Sequence, residues 1–173
     1  LYPMNIKIPG DPSSAAFFTA LTLLNKNSSL KIKNVGLNPT RTGFYDLLKK
    51  NGANIKFNNK KRLNNEIVGD IIIKSGNLKS IKASKNYYEK TTDEFPILFC
   101  IAALTNGTSV FKGIGDLANK ESNRIKEMQK ILGQIGVKSI ATKNDLKIYG
   151  KKFVNNKNKI IKVPNLGDHR ICM

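Results

Sequence analysis

Lys120, Glu121 and Arg124 stand close together in the stretch NKESNR, just ahead of the amphipathic run IKEMQKILGQIG. The pattern predicts a helix whose first turn holds all three. A helix N-terminus carries partial positive charge, so cations there lose stability unless an anion sits with them. Anion binding is the chemistry this spacing points to. A second such place is GDHR, where His169 is the only histidine of the chain and Arg170 is one of four arginines, again at a predicted helix start. A lone histidine is ordinarily structural, but here it adjoins a cation set against a helix dipole.

At about 100° per residue, Glu121 falls in the middle of the stripe carrying Ile125, Met128, Leu132 and Ile135. Arg124 lies at the edge of that stripe and Lys120 a little further round, so charge continues an inward face past its apolar part. The alternative is a solvated helix start with an internal Glu121–Arg124 pair.

Three aspartates precede apolar helical runs: Asp11 in GDPSSAAFFTALTLL, Asp93 in DEFPILFCIAALTNG and Asp168 in DHRICM, spaced by 82 and 75 residues. Each stands where an N-cap should stand, and Pro12 and Pro96 suit a first helical turn. An N-cap aspartate needs no substrate, so a structural role suffices for each alone. Three such helices related by rotation would also direct their N-termini to one face, which would hold anions. Arg41, in NPTRTG, reads as part of a turn entering a helix.

The elements that must position these residues recur. After each of the first two aspartates come an apolar helix, a β-rich piece (LKIKNVG, SVFKGIG), a second helix (RTGFYDLLKKNGA, KESNRIKEMQKILGQIGV) and further strands (ANIKF and EIVGDIIIK; VKSIA, DLKIY and KIIKV). Each unit reads β, α, β, α, β, β. The first helices are apolar almost all round, which predicts burial on every side; the second are one-sided. Buried helices wrapped by sheet give an α/β, inside-out barrel-like lobe, with two repeats and the start of a third.

The 173 residues, 40% of them hydrophobic, are enough to bury one sizeable core. The net charge of +18 comes mostly from lysine scattered among asparagine and isoleucine, as in KFNNKKRLNN, which reads as solvated charge rather than a nucleic-acid surface. No apolar run approaches the ~18–20 residues that span a bilayer, and no signal peptide appears. Cys100 and Cys172 stand in separate apolar contexts without a C-x-x-C pattern, which predicts packing in a reducing compartment and no zinc site. The chain opens LYPMNIKIPGD and stops at GDHRICM, and reads as a piece of a longer protein.

In order and spacing, GDPSSAAFFTAL, NPTRTGFYDLLKKNGA, DEFPIL, NKESNR and GDHRICM resemble the 5-enolpyruvylshikimate-3-phosphate synthases over the whole chain. The resemblance implies the enolpyruvyl transferase fold, two lobes of three βαβαββ units each. This chain would be most of the C-terminal-half lobe, with repeats at about 5–86, 87–163 and 164–173 and with the second lobe and C-terminal end absent. It implies transfer of the enolpyruvyl group of phosphoenolpyruvate to the 5-hydroxyl of shikimate 3-phosphate, by an enzyme that is monomeric at full length and uses no cofactor, membrane or nucleic acid; between cytoplasm and plastid, the unpaired cysteines and biased composition favour a bacterial cytoplasm. This piece alone is expected to be inactive.

By matching motifs, the resemblance makes Asp93 the proton acceptor beside shikimate 3-phosphate, Lys120 a ligand of that substrate, and Glu121 the acid that protonates the phosphoenolpyruvate methylene. Arg124 and Arg170 hold phosphoenolpyruvate. His169 sits beside them with its role open, and Asp116 is a further contact to shikimate 3-phosphate. Ala118 departs from the family, which usually has a basic residue there; Asn123 stands where Asp is common. Glu121→Gln and Arg124→Ala are expected to abolish turnover with the fold intact. Two rivals predict other behaviour. A UDP-N-acetylglucosamine enolpyruvyl transferase would turn over a nucleotide sugar, and a basic nucleic-acid-binding module would show affinity falling steeply with salt.

Overall fold

The computed structural model describes residues 6–152 and 160–172. The first series of elements is α1 (Pro12–Leu24), β1 (Ser29–Gly36), α2 (Gly43–Lys50), β2 (Asn54–Leu63) and β3 (Glu66–Lys74). The second is β4 (Lys82–Ala83), α3 (Phe95–Ala103), β5 (Gly107–Phe111), α4 (Arg124–Gln134), β6 (Lys138–Ala141) and β7 (Leu146–Gly150), followed by the single turn α5 (His169–Cys172). Local chemistry sets these starts. Asp11 caps α1 by accepting from the backbone N–H groups of Ser13 (3.3 Å) and Ser14 (2.8 Å), and Pro12 opens the helix.

The strands form two sheets, ordered β1-β3-β2 and β4-β5-β7-β6. All neighbours are antiparallel except β4, which runs parallel to β5. The first sheet has a counterpart to β4 in Gly10, which bridges in parallel to Val35: its N–H donates to the Asn34 carbonyl (2.8 Å) and its carbonyl accepts from Gly36 (2.9 Å). The strands of the two sheets thus follow the same spatial order.

Both sheets are open, which corrects the expectation of a barrel-like lobe. Closure needs each strand paired to the next around a ring. Among the described residues β2 and β6 each end their sheet, and no ladder joins the two. The exposed run NNKKRL of β2 places lysine and arginine on that edge, which disfavours further pairing. The expected strand in KIIKV is also missing, since 160–163 is irregular and Lys159 lies outside the described residues. No described helix is long and apolar enough to cross a membrane.

The core gathers around α3. Leu98, Phe99, Ile101, Ala102 and Ala103 are fully buried, and the Phe99 ring meets Phe111 edge-on at 5.0 Å. The last residue of β7, Gly150, lets the sheet press against the end of this helix, because a Cβ there would lie 2.0 Å from the Thr105 carbonyl oxygen. α1 packs through the small residues Ala15, Ala16 and Ala20. Burial on every side holds only for α3: Phe18 and Leu21 of α1 are 61% and 62% exposed, because α1 is covered on one side by α3, β1 and β3.

One polar cluster shapes the first sheet. Asp70 on the central strand β3 accepts from the Asn34 N–H (3.1 Å), the Asn59 amide (2.8 Å) and the Lys31 ammonium (3.0 Å). Asn34 and Asn59 have φ of 54° and 52° and lie where the registers of β1 and β2 shift. A bulge leaves backbone groups unpaired. One carboxylate therefore pins an irregularity on each flanking strand, and the Asn59 amide, followed by Lys31, lowers its pKa to about 2.

Candidate active site

The helix following NKESNR begins at Arg124, not at Lys120. Asn123 is its cap, accepting from the Lys126 N–H at 3.0 Å, and the residues before it belong to a 3-10 turn (Gly115–Asn119) and a bend. The angular reading of Lys120 and Glu121 therefore does not apply. The Glu121 side chain is 56% exposed, whereas the Arg124 side chain is 2% exposed. Ile125, Met128 and Leu132 form the buried stripe, and Glu127 is buried too and accepts from Lys130 at 2.8 Å.

A buried guanidinium must be paired and hydrogen-bonded to be tolerated. Arg124 achieves this with Asp168, whose side chain is fully buried: Nε donates to Oδ2 at 2.9 Å and Nη2 to Oδ1 at 3.3 Å. Nη2 also donates to Glu121 Oε2 at 2.7 Å. Asp168 accepts further from Ser122 Oγ (2.9 Å) and from the Arg170 backbone N–H (3.1 Å), so it caps α5 as well. Burial pushes its carboxyl up, but the hydrogen bonds from Arg124 and Ser122, with the Arg124 charge, outweigh that and hold its pKa below the usual range. The remaining nitrogen, Arg124 Nη1, is buried without a hydrogen-bond partner among the described residues, 3.9 Å from Asp93 Oδ1.

Asp93 is not an N-cap. The residues ahead of α3 form successive turns, with the N–H of Thr91 bonded to the Tyr88 carbonyl (3.1 Å) and that of Glu94 to Thr91 (3.0 Å), so Glu94 takes the cap position. This frees the Asp93 carboxylate, which accepts from Arg170 Nη2 at 3.2 Å and faces Arg124. Glu94 turns inward, almost fully buried, and accepts from the Ser13 hydroxyl; burial pushes its carboxyl up. Beside Asp93 is a depression of about 190 Å³ lined by Arg41 and the segment 89–94. Arg41, read as a turn residue, reaches Ser13 Oγ (2.9 Å) and Asp11 Oδ1 (3.3 Å).

Lys120 is held by Asp116, Nζ to Oδ2 at 3.2 Å, and the same oxygen accepts from the Tyr88 hydroxyl at 2.6 Å. These contacts, Tyr88 first and then Lys120, hold the Asp116 carboxyl below its usual range. Tyr88, Ser122 and the pairing role of Asp168 escape sequence reading: neither Tyr88 nor Ser122 stands out by spacing, and Asp168 looks like a simple cap. His169 is the first residue of α5, exposed, with no hydrogen bond or ion pair among the described residues. Cys100 is largely buried, which raises its thiol to about 11, but Cys172 is exposed rather than packed.

Arg124 and Arg170 thus meet at Asp93, with Glu121 on Arg124, while Lys120, next in sequence to Glu121, holds Asp116; each cation holds a carboxylate that an incoming anion could replace. The family model described as EPSP synthase (3-phosphoshikimate 1-carboxyvinyltransferase) matches residues 1–173. A 3-phosphoshikimate 1-carboxyvinyltransferase of Caldicellulosiruptor bescii is 42% identical over 98% of this chain and 39% of its own length. The protein of the same name from Zymomonas mobilis is 39% identical over the whole chain and 39% of its own length. A solved EPSP synthase from Acinetobacter baumannii superimposes with a TM-score of 0.88 at 35% identity, covering 99% of this chain and 39% of that one. The chain therefore spans about two fifths of the length of these relatives. On the family model, the relatives and the superimposed fold together, the chain belongs to the EPSP synthase family.

Proposed function

We propose that the protein to which this chain belongs transfers the enolpyruvyl group of phosphoenolpyruvate to the 5-hydroxyl of shikimate 3-phosphate and releases phosphate. The observation that carries this reading is Arg124 Nη1, a buried cationic donor with no hydrogen-bond partner among the described residues, facing an aspartate that Arg170 also holds. An unmet charged donor is costly in the interior, and an anionic ligand removes that cost. Phosphoenolpyruvate supplies a carboxylate and a phosphate for the planar forks of Arg124 and Arg170. As it binds, those forks release Asp93 and Glu121 from the pairs they form without substrate.

In the proposed step Asp93 accepts the proton of the acceptor hydroxyl while its oxygen adds to C2 of phosphoenolpyruvate, and Glu121 gives a proton to the C3 methylene. The tetrahedral adduct then expels phosphate as the methyl group returns a proton, restoring the double bond. Lys120 and Asp116 contact shikimate 3-phosphate, and His169 borders the site.

The chain would form most of one lobe, the C-terminal half, with repeats at about 5–86, 87–163 and 164–173; its 39% share of the relatives' length fits a piece smaller than half of such a protein. A second lobe would complete the site of a cytoplasmic monomer acting without cofactor or nucleic acid. Phosphate release by the full-length protein from phosphoenolpyruvate should require shikimate 3-phosphate and fall at least about a hundredfold in Glu121→Gln. Release without that requirement, or turnover of UDP-N-acetylglucosamine instead, would sink the reading.

A further inference from the structure

We propose that Tyr88 is a positioning residue of this site, holding Asp116 so that the Lys120 ammonium stays where the phosphorylated acceptor docks. The inference rests on the function proposed above and adds a residue from outside every motif used to reach it.

The need for such a residue follows from exposure. The Asp116 side chain is 57% exposed and that of Lys120 31%. An ion pair so open to water contributes only ~0–1 kcal/mol and leaves both side chains free to wander. The turn Gly115–Asn119 brings no cation of its own, with alanine at 118, so charge on this side of the site depends on where Lys120 points.

Tyr88 supplies what the pair lacks. Its hydroxyl donates to Asp116 Oδ2 at 2.6 Å, a short bond to a charged acceptor, which is the stronger kind. Its ring stacks on Phe95, centroids 5.9 Å apart and planes 23° from parallel, and Phe95 is 1% exposed at the start of α3. A Tyr side chain has few torsions to fix, so the anchor costs little entropy. The phenol remains a donor at working pH, because burial and then Asp116 raise its pKa above the ordinary value. A continuous chain of contacts therefore runs from the core through Phe95, Tyr88 and Asp116 to Lys120.

The test uses Tyr88→Phe in the full-length protein, which keeps the ring and removes only the hydroxyl. We expect KM for shikimate 3-phosphate to rise about tenfold, with kcat within about twofold and KM for phosphoenolpyruvate unchanged. An unchanged acceptor KM overturns the proposal. So does a joint loss of kcat, both KM values and melting temperature, which marks a packing residue. A second measurement needs no turnover: brief acetylation with labelled acetic anhydride, read at Lys120 by peptide mass spectrometry against Lys126. The Lys120 rate should rise at least about threefold in the variant as its carboxylate partner loosens. An unchanged rate overturns the link whatever the substrate, whereas a raised rate without shikimate 3-phosphate turnover fails the proposed function and leaves the link standing.

Discussion

Replacing Asp168 by asparagine keeps the shape of the side chain and removes its charge, leaving the Arg124 guanidinium buried at 2% exposure without its principal counter-ion. Breaking a buried pair by removing one partner costs ~3–5 kcal/mol. The lower end applies here, about 3 kcal/mol, because Glu121 at 2.7 Å and Asp93 at 3.9 Å still face the guanidinium. In a domain of this size each kcal/mol moves the melting temperature by about 2–4 °C, so a loss of about 6–12 °C is expected. Thermal unfolding of the full-length protein at pH 7 measures it. The control is Arg124→Met combined with Asp168→Asn, which removes the buried charge and should recover most of the loss. The Asp168 carboxyl is held below its unfolded value, so its contribution is present above about pH 4 and fades as pH falls further. The gap between parent and Asp168→Asn should narrow in acid. A loss below about 0.5 kcal/mol, or a double variant no better than Asp168→Asn alone, would refute the reasoning. The same pairing makes Arg124→Ala a poor probe of turnover alone, since it strands Asp168 in turn; Arg124→Lys is the cleaner test of the fork.

Two further outcomes concern carboxylates given no part in the proposed reaction. Asp70→Asn should lower the melting temperature at pH 7 and have little effect near pH 2, because the pKa of about 2 confines the Asp70 contribution to pH values above its titration; equal loss at both pH values would contradict the bulge-pinning role. Glu94→Gln should be tolerated, since an amide oxygen still accepts from Ser13, and should stabilise more at pH 8 than at pH 4, because the raised Glu94 carboxyl favours the neutral form; a melting-temperature gain that shrinks with rising pH would count against it.

Motif order and periodicity carried much of this molecule. The helix start at Pro12 and the strands β1, β2, β3, β5, β6 and β7 follow from apolar patterning, α3 begins one residue later than an Asp93 cap implies, and the Glu121–Arg124 pair is the one that the alternative reading of that stretch named. What escaped was set by contacts distant in sequence. The Asp168–Arg124 pair joins residues 44 apart, and Arg170 reaches Asp93 across 77. No local pattern distinguishes an aspartate that only caps from one that also neutralises a buried arginine. The start of α4 was misplaced for the opposite reason: Asn119 and Asn123 are equally good caps by residue type, only Asn123 takes the role, and a helical angle carried past a cap has no meaning. Barrel closure failed because alternation shows that strands exist, while the edges depend on which ones find partners.

The exposed contact between Arg41 and Asp11 gives the molecule a built-in reference. It joins an aspartate before the first helix of its series to an arginine at the entrance to the second helix, as Asp93 and Arg124 do, with an N–O distance of 3.3 Å against 3.9 Å. The Arg41 side chain is half in solvent, whereas that of Arg124 is sealed. Added salt should therefore weaken the first contact by screening and leave the second almost untouched. Titrating both guanidinium signals in one sample would read the effect of burial on an arginine–aspartate contact, with buffer, temperature and polypeptide held in common.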